Sequence, residues 1–176
     1  ERVKSTDLAQ CPLAADAHYN RYAFYLSDTF ELGHWNVEPG IRFSSIEADL
    51  KRYYLKNSDP STLQPSEKKI YQELIGSIRA NKKFTQNNFV FFGLSQGFRP
   101  PSLYDLTSTD ETSAVEHPNT SLDSENFVQA EVGYKGSFHS WNWEASYYHT
   151  WIKDMIVRSP VEAGKSDVLK ANGDGY

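Results

Sequence analysis

From Trp141 to Trp151 the chain reads WNWEASYYHTW, with Trp141, Trp143, Ala145, Tyr147 and Trp151 on one parity and Asn142, Glu144, Ser146, Tyr148 and Thr150 on the other. Alternation of this kind has the period of a β-strand, and a helix cannot separate the two sets onto opposite faces. The pattern recurs along the chain. Tyr22, Phe24, Leu26, Phe30 and Leu32 share a parity in 21–32; Trp35, Val37, Ile41 and Phe43 do so in 35–45, opposite Asn36, Glu38, Arg42 and Ser44. Val90, Phe92, Leu94 and Phe98 form a third set, and Val128, Ala130, Val132 and Tyr134 a fourth. The run 74–84 has the weakest apolar signal, carried by Gly76, Ile78, Ala80 and Phe84. These runs predict six strands, with 168–176 as the start of a seventh.

Two positions break the rhythm. Asp28 sits on the apolar parity, and a bulge or phase change near Ser27 would turn it to the other face. Pro39 lies inside a strand and marks a local irregularity. Between the strands, connections alternate: short at 33–34, 85–87 and 136–140, long at 46–73 and 99–125. Residues 1–20 read as a loop. The 47–73 stretch reads as a polar connection, with Pro60 and Pro65 stopping a helix through its middle and a helical turn or two expected in 66–74.

Composition narrows the class. Hydrophobic residues make up only 39% of the 176, yet aromatics reach 14%, and mean hydropathy is −0.63. Soluble cores are built chiefly from Leu, Ile and Val, whereas aromatics on otherwise polar strands suit a surface at an interface. A formal charge of −5 argues against a nucleic-acid partner, which needs a basic face. There is no apolar run long enough for a transmembrane helix, which leaves a barrel open. The chain starts at Glu1 without a signal peptide, and reads as an internal piece of a longer protein. Cys11, the single cysteine, is either an inert loop thiol or half of a bridge to an upstream partner; spacing does not decide.

Two architectures fit alternating antiparallel strands. A soluble β-sandwich binding module would stack a ligand such as carbohydrate on its Trp and Tyr. A transmembrane barrel explains more: short turns on one side and long loops on the other are the barrel asymmetry. Trp141 and Trp151 lie roughly 33 Å apart along a strand at about 3.3 Å per residue. A tilt near 45° projects that to about 24 Å, close to the ~25 Å band between aromatic girdles. The expected fold is all-β, antiparallel up-and-down strands forming part of a transmembrane β-barrel, about six or seven strands of a larger one, with long extracellular loops.

The stretch Ser95, Gly97, Phe98, Arg99, Pro101, then Leu122 and Glu125, then Glu131, Gly133, Tyr134 and Lys135 resembles the C-terminal barrel of the TonB-dependent outer-membrane receptors. In that family Ser-x-Gly-Phe-Arg-x-Pro opens a long extracellular loop and Glu-x-Gly-Tyr-Lys marks the next strand. The run 148–156 also resembles a family strand. The closing element of the loop, His117-Pro118-Asn119-Thr120-Ser121-Leu122, departs from the family's Asn-Pro-x-Leu.

The resemblance implies that residues 1–176 are part of a barrel of about 22 strands filled by a plug. It also implies a location in the bacterial outer membrane, in contact with its lipid. The implied cargo is an iron chelate, haem or cobalamin, moved by energy from the TonB protein acting through a plug segment outside this chain. Tyr104, Asp105 and His117 are the loop candidates for cargo contact. For His117, the implied chemistry is axial ligation of haem iron, against the plainer reading of an exposed loop histidine. Gly97, Phe98, Arg99, Pro101, Leu122, Glu125, Glu131, Gly133 and Tyr134 are expected to be structural, with Arg99 offering its fork to Glu125 or Glu131.

Asp110, Glu111 and Glu116 lack calcium-loop spacing, so no metal site is expected. No catalytic constellation, phosphate loop or cofactor is expected either. His149, on the parity of Trp151, is assigned to the aromatic belt.

Overall fold

The computed structural model describes residue 14 and residues 16–55, 60–109, 115–161 and 167–173. Cys11, Asp110 and Glu111 lie outside them. The strands, in order, are β1 (Asp16–Ser27), β2 (Phe30–Leu32), β3 (Trp35–Tyr54), β4 (Leu63–Gln64), β5 (Glu67–Thr85), β6 (Asn88–Arg99), β7 (Glu116–His117), β8 (Glu125–Phe138), β9 (Trp141–Lys153), β10 (Met155–Pro160) and β11 (Val168–Gly173). A 3-10 turn occupies Pro60–Thr62, and the one α-helix among the described residues, α1, occupies Leu103–Thr107.

The main sheet is an antiparallel meander in the order β1-β3-β5-β6-β8-β9, with β2 and β4 also paired to β3. Its hairpins are staggered. Trp35 pairs with Lys82, three residues short of Thr85, which meets Asn88 at the next turn. Asn88 pairs with Gly136, two residues short of Phe138, which meets Trp141 at the turn after. Each turn therefore ends two to three residues lower than the one before, the shear that tilted strands in a barrel wall require. The sheet does not close on itself: β1 and β9 are its edges.

Register sorts the side chains onto two faces. In-register rows such as Leu26–Ile41 and Val128–Trp151 put the apolar parities of all strands on one face. That face is bare, with Phe24, Leu74, Trp141, Tyr147 and Trp151 all exposed. A sandwich would cover it with a second sheet about 10 Å away, and the described residues supply none. The other face carries Arg21, Arg42, Ser77, Arg79, Gln129 and Glu131, the mixture of a polar lumen.

Towards the long-loop end the faces exchange character. Along β3, outward Ile41 and Phe43 give way to Glu47, Asp49 and Lys51, while inward Ile46, Ala48 and Leu50 are almost fully buried. The bare apolar stretches, about 22–32, 35–43, 74–84, 90–96, 128–134 and 141–151, mark the membrane-spanning parts. Above them β3 and β5 project as a paired ribbon, with Leu50 still in register with Glu67. The expected 46–73 connection is thus mostly strand; the link between β3 and β5 is 55–66, and in place of the helical turn expected in 66–74 the structure has strand from Glu67 onward. Likewise β1 starts at Asp16, inside the expected N-terminal loop.

The core lies on the inner side of that ribbon. Ala48, Leu50 and Tyr53 of β3 pack with Leu106 of α1 and Leu122, flanked by Tyr19, Leu103 and Ile156. Leu50 and Leu106 are fully buried, each contributing about 1.5–3 kcal/mol by leaving water.

Asp28 needs no phase change. Ser27 pairs with Gly40 and Phe30 with Val37, so register is the same on both sides of the gap. The ladder lapses because Pro39, opposite Asp28, has no N–H to give, while its carbonyl still accepts from Asp28 N at 3.3 Å. The register shift on β1 is at Asp16/Ala17 instead. The expected seventh wall strand is also corrected. Asp154 adopts φ 58°, and beyond it β10 pairs with β11, which runs parallel to β7, as a separate small sheet.

Candidate functional site

The loop between β6 and β8 is fastened at its root. Arg99 ends β6 in register with Glu125, which begins β8. Arg99 Nε donates to Glu125 Oε2 at 2.6 Å and Nη2 to Oε1 at 2.8 Å, while Nη1 reaches Asp105 Oδ2 at 2.8 Å. Pro100 and Pro101 follow; lacking N–H groups they cannot extend the ladder, so the chain leaves the wall there. Ser102 then caps α1. Its Oγ accepts from Asp105 N at 3.2 Å, and Asp105 Oδ2 accepts from Ser102 N at 2.9 Å, a reciprocal capping box.

The knot extends to the β10–β11 hairpin. Lys170 Nζ lies 3.2 Å from Asp105 Oδ1 and 3.6 Å from Glu116 Oε1, and Arg158 Nη2 donates to Glu116 Oε2 at 2.6 Å. Glu125 Oε1 also accepts from Ile156 N at 2.7 Å. Three carboxylates thus meet three cations in a partly buried setting. Glu116 is 2% exposed, and its Oε1 has the Lys170 charge nearby but no hydrogen bond. Burial raises the Asp105 carboxyl, yet the Ser102 donors, Arg99 and Lys170 outweigh it and hold the group at about 2. Glu125 is held below its ordinary value, chiefly by Arg99, against burial and with help from Ile156 N.

Two tyrosines strut the loop from the wall. Tyr19 Oη donates to Pro101 O, and Tyr71 Oη to Leu122 O, each at 3.2 Å. Tyr71 stands above the membrane stretch, and burial pushes its phenol up to about 12.

The structure brings some of the singled-out residues together and separates others. Gly97, Phe98 and Arg99 end β6, and Pro101 is buried behind them. Leu122 enters the core. Glu131 lies six residues along β8 from Glu125, so of these two expected partners Arg99 meets Glu125. Gly133 gives room to the Phe91 ring on the inner face. Tyr134 faces outward and stacks on Trp143, centroids 4.7 Å apart. His149 also faces outward, edge-on to Trp151 at 4.4 Å.

Among the loop candidates, Asp105 is engaged by Arg99, Lys170 and Ser102. The Tyr104 ring is partly exposed, with Lys170 Nζ 3.7 Å from its centroid. His117 lies in β7, half-buried, its Nε2 3.5 Å from Asp167 Oδ2. No group of three or more His, Cys, Asp or Glu among the described residues could hold a metal ion.

Lys170, Arg158 and the burial of Glu116 have no local sequence signature, because their partners lie far along the chain. The capping box does have one, Ser102-Leu-Tyr-Asp105.

A staggered wall with one apolar, aromatic-rimmed face, one polar face, short turns at one end and a fastened loop at the other defines a segment of an outer-membrane β-barrel. The family model described as TonB dependent receptor-like, beta-barrel, matches residues 4–171, and the chain belongs to that family. Its place is the outer membrane.

Among solved structures, the copper transporter OprC aligns with a TM-score of 0.72 and 21% identity, over 90% of this chain and 25% of its own. The Serratia marcescens hemophore receptor HasR, solved with its hemophore HasA and heme, gives 0.68 and 13% over 88% and 29%. An FrpB iron transporter of Neisseria meningitidis gives 0.64 and 15% over 90% and 22%. At these identities the likeness is one of fold. The chain spans about a quarter of the length of these structures. No match emerges among curated protein sequences.

Proposed function

We propose that residues 1–176 are part of the barrel domain of a receptor that imports a scarce ligand across the outer membrane. The cargo class is an iron chelate, haem or cobalamin. Import draws energy from the TonB protein, through a plug that lies outside this chain. The observation that carries this reading is the fastened loop: a knot of six charged groups holds 100–109 and 115–124 on the lumenal side, at the extracellular end of a lipid-facing wall. A wall that only sealed a lumen would not need a loop so fixed. The solved neighbours named for copper, heme and iron support transport as the shared task.

Within the loop we assign cargo contact to Tyr104 and His117, which are partly exposed. Asp105 serves the loop's shape, because its carboxylate is already engaged. Arg99, Pro101, Leu122 and Glu125 serve the same end, and Gly97, Phe98, Glu131, Gly133 and Tyr134 serve the wall.

The test is uptake of labelled ferric chelates, haem and cobalamin by cells expressing the full-length receptor, with and without the receptor and with and without TonB. Loss of uptake of one cargo on either deletion is the expected result. Unchanged uptake of every cargo sinks the reading. For His117, haem-dependent growth unchanged by His117→Ala rules out ligation there.

A further inference from the structure

Below the fastened loop, on the inner face, lies a recess of about 310 Å³ lined by three guanidinium side chains, Arg21, Arg42 and Arg99, and by no carboxylate. That volume is within the range of small-ligand sites, at its lower end. Arg99 is neutralised by Glu125 and Asp105. Arg21 and Arg42 are not: among the described residues neither forms an ion pair. Both are exposed towards the lumen.

Their placement follows from register. Arg21 stands opposite Ile46, and Arg42 opposite Tyr25; between these rows the inward positions are Ala23 and Ser44, in register with each other. Two short side chains therefore separate two long cations, leaving space between the guanidiniums. Arg42 Nε is oriented by Ser44 Oγ at 3.1 Å, and the Arg21 guanidinium sits 6.0 Å from the Tyr19 ring centroid. Glu73, opposite Ser44 on β5, is the carboxylate nearest in register and lies outside the lining. Among the described residues, two unneutralised cations against one carboxylate leave this part of the lumenal wall positive. Guanidinium forks match the paired oxygens of carboxylate and catecholate groups, and a concave wall of one sign concentrates oppositely charged solutes.

We propose that Arg21 and Arg42 form an anion-binding subsite on the lumenal wall, selecting a metal chelate of net negative charge. The inference rests on the import reading and narrows its cargo.

The experiment measures binding and uptake by the full-length receptor with four probes: anionic ferric citrate and ferric enterobactin, cationic ferrioxamine B and neutral cyanocobalamin. The expected result is binding of an anionic probe, weakened roughly 100-fold in Arg21→Gln/Arg42→Gln, about tenfold for each charge-assisted hydrogen bond lost. Heat-modifiable gel migration reports that the variant barrel is intact. If the double variant loses it, Arg42→Gln alone carries the same expectation at about tenfold. Arg21→Lys/Arg42→Lys keeps the charge and is expected to retain more of the binding than the glutamine pair. Anionic binding unchanged in the glutamine variants overturns the subsite, as does binding confined to ferrioxamine B or cyanocobalamin. Failure of all four probes, and of haem run beside them, to bind or enter instead contradicts the transport reading from which the inference starts.

Discussion

Arg99 and Glu125 face each other in register at the tops of β6 and β8, joined by two hydrogen bonds of 2.6 and 2.8 Å. The last residue of one strand and the first of the next thereby clamp the loop at its root. Lysine cannot reproduce the two-pronged geometry. Arg99→Lys and Glu125→Gln are each expected to raise hydrogen exchange across 103–107 without altering barrel migration on gels. Because the Arg99 side chain is 43% exposed, solvent screening limits the coupling in a double-mutant cycle to about 1–2 kcal/mol. Equal exchange in wild type and both variants would show that the clamp is dispensable.

Acid should loosen the same loop. Asp105 is held at about 2, below the ordinary 3.8. A depressed carboxyl contributes stability that is complete above its unfolded value and fades as pH falls through the folded one. Protease resistance of 100–124 in the purified receptor should therefore hold at pH 5 and decline between about pH 4 and pH 2. Asp105→Asn should lower it already at neutral pH and flatten the dependence. A profile that is flat in wild type contradicts the role given to Asp105.

Gly133 marks a close approach. A Cβ there would collide with the Phe91 ring and lie 2.9 Å from Ala145 O. Gly133→Ala is expected to reduce the yield of heat-modifiable receptor, and Phe91→Leu in the same chain to restore part of it. Normal assembly of Gly133→Ala would show that the wall repacks freely at this point.

The two faces should differ in tolerance. Val132 points to lipid and Gln129 to the lumen. An arginine in the middle of the lipid face costs about 2–4 kcal/mol, whereas lumenal substitutions leave stability largely intact. Urea unfolding in lipid vesicles should separate Val132→Arg from Gln129→Arg by that amount.

The wall strands were legible wherever one face met lipid throughout, as in β8 and β9, since Val128 to Tyr134 and Trp141 to Trp151 keep one apolar parity. The upper half of β3 was not. Above Phe43 the apolar parity changes from odd to even positions, because the inner face there packs on Leu106 and Leu122 while the outer face meets water. A strand that swaps its apolar face mid-length reads locally as a polar loop. The interruption at Asp28 was visible, but its cause, Pro39 across the ladder, is a matter of pairing. Of the knot, Arg99 and its two candidate carboxylates could be read from the motif. Lys170, Arg158 and buried Glu116 could not, since their meeting depends on how the β10–β11 hairpin folds back over the loop.

The assignment of faces underlies lumen, mouth and recess alike. Its most direct test places spin labels one at a time at 128–134 of the full-length receptor in lipid vesicles and measures collision with oxygen and with a water-soluble nickel chelate. Oxygen maxima at 128, 130, 132 and 134, with nickel maxima at 129, 131 and 133, are the predicted result; alternation of the opposite phase, or none, would contradict it.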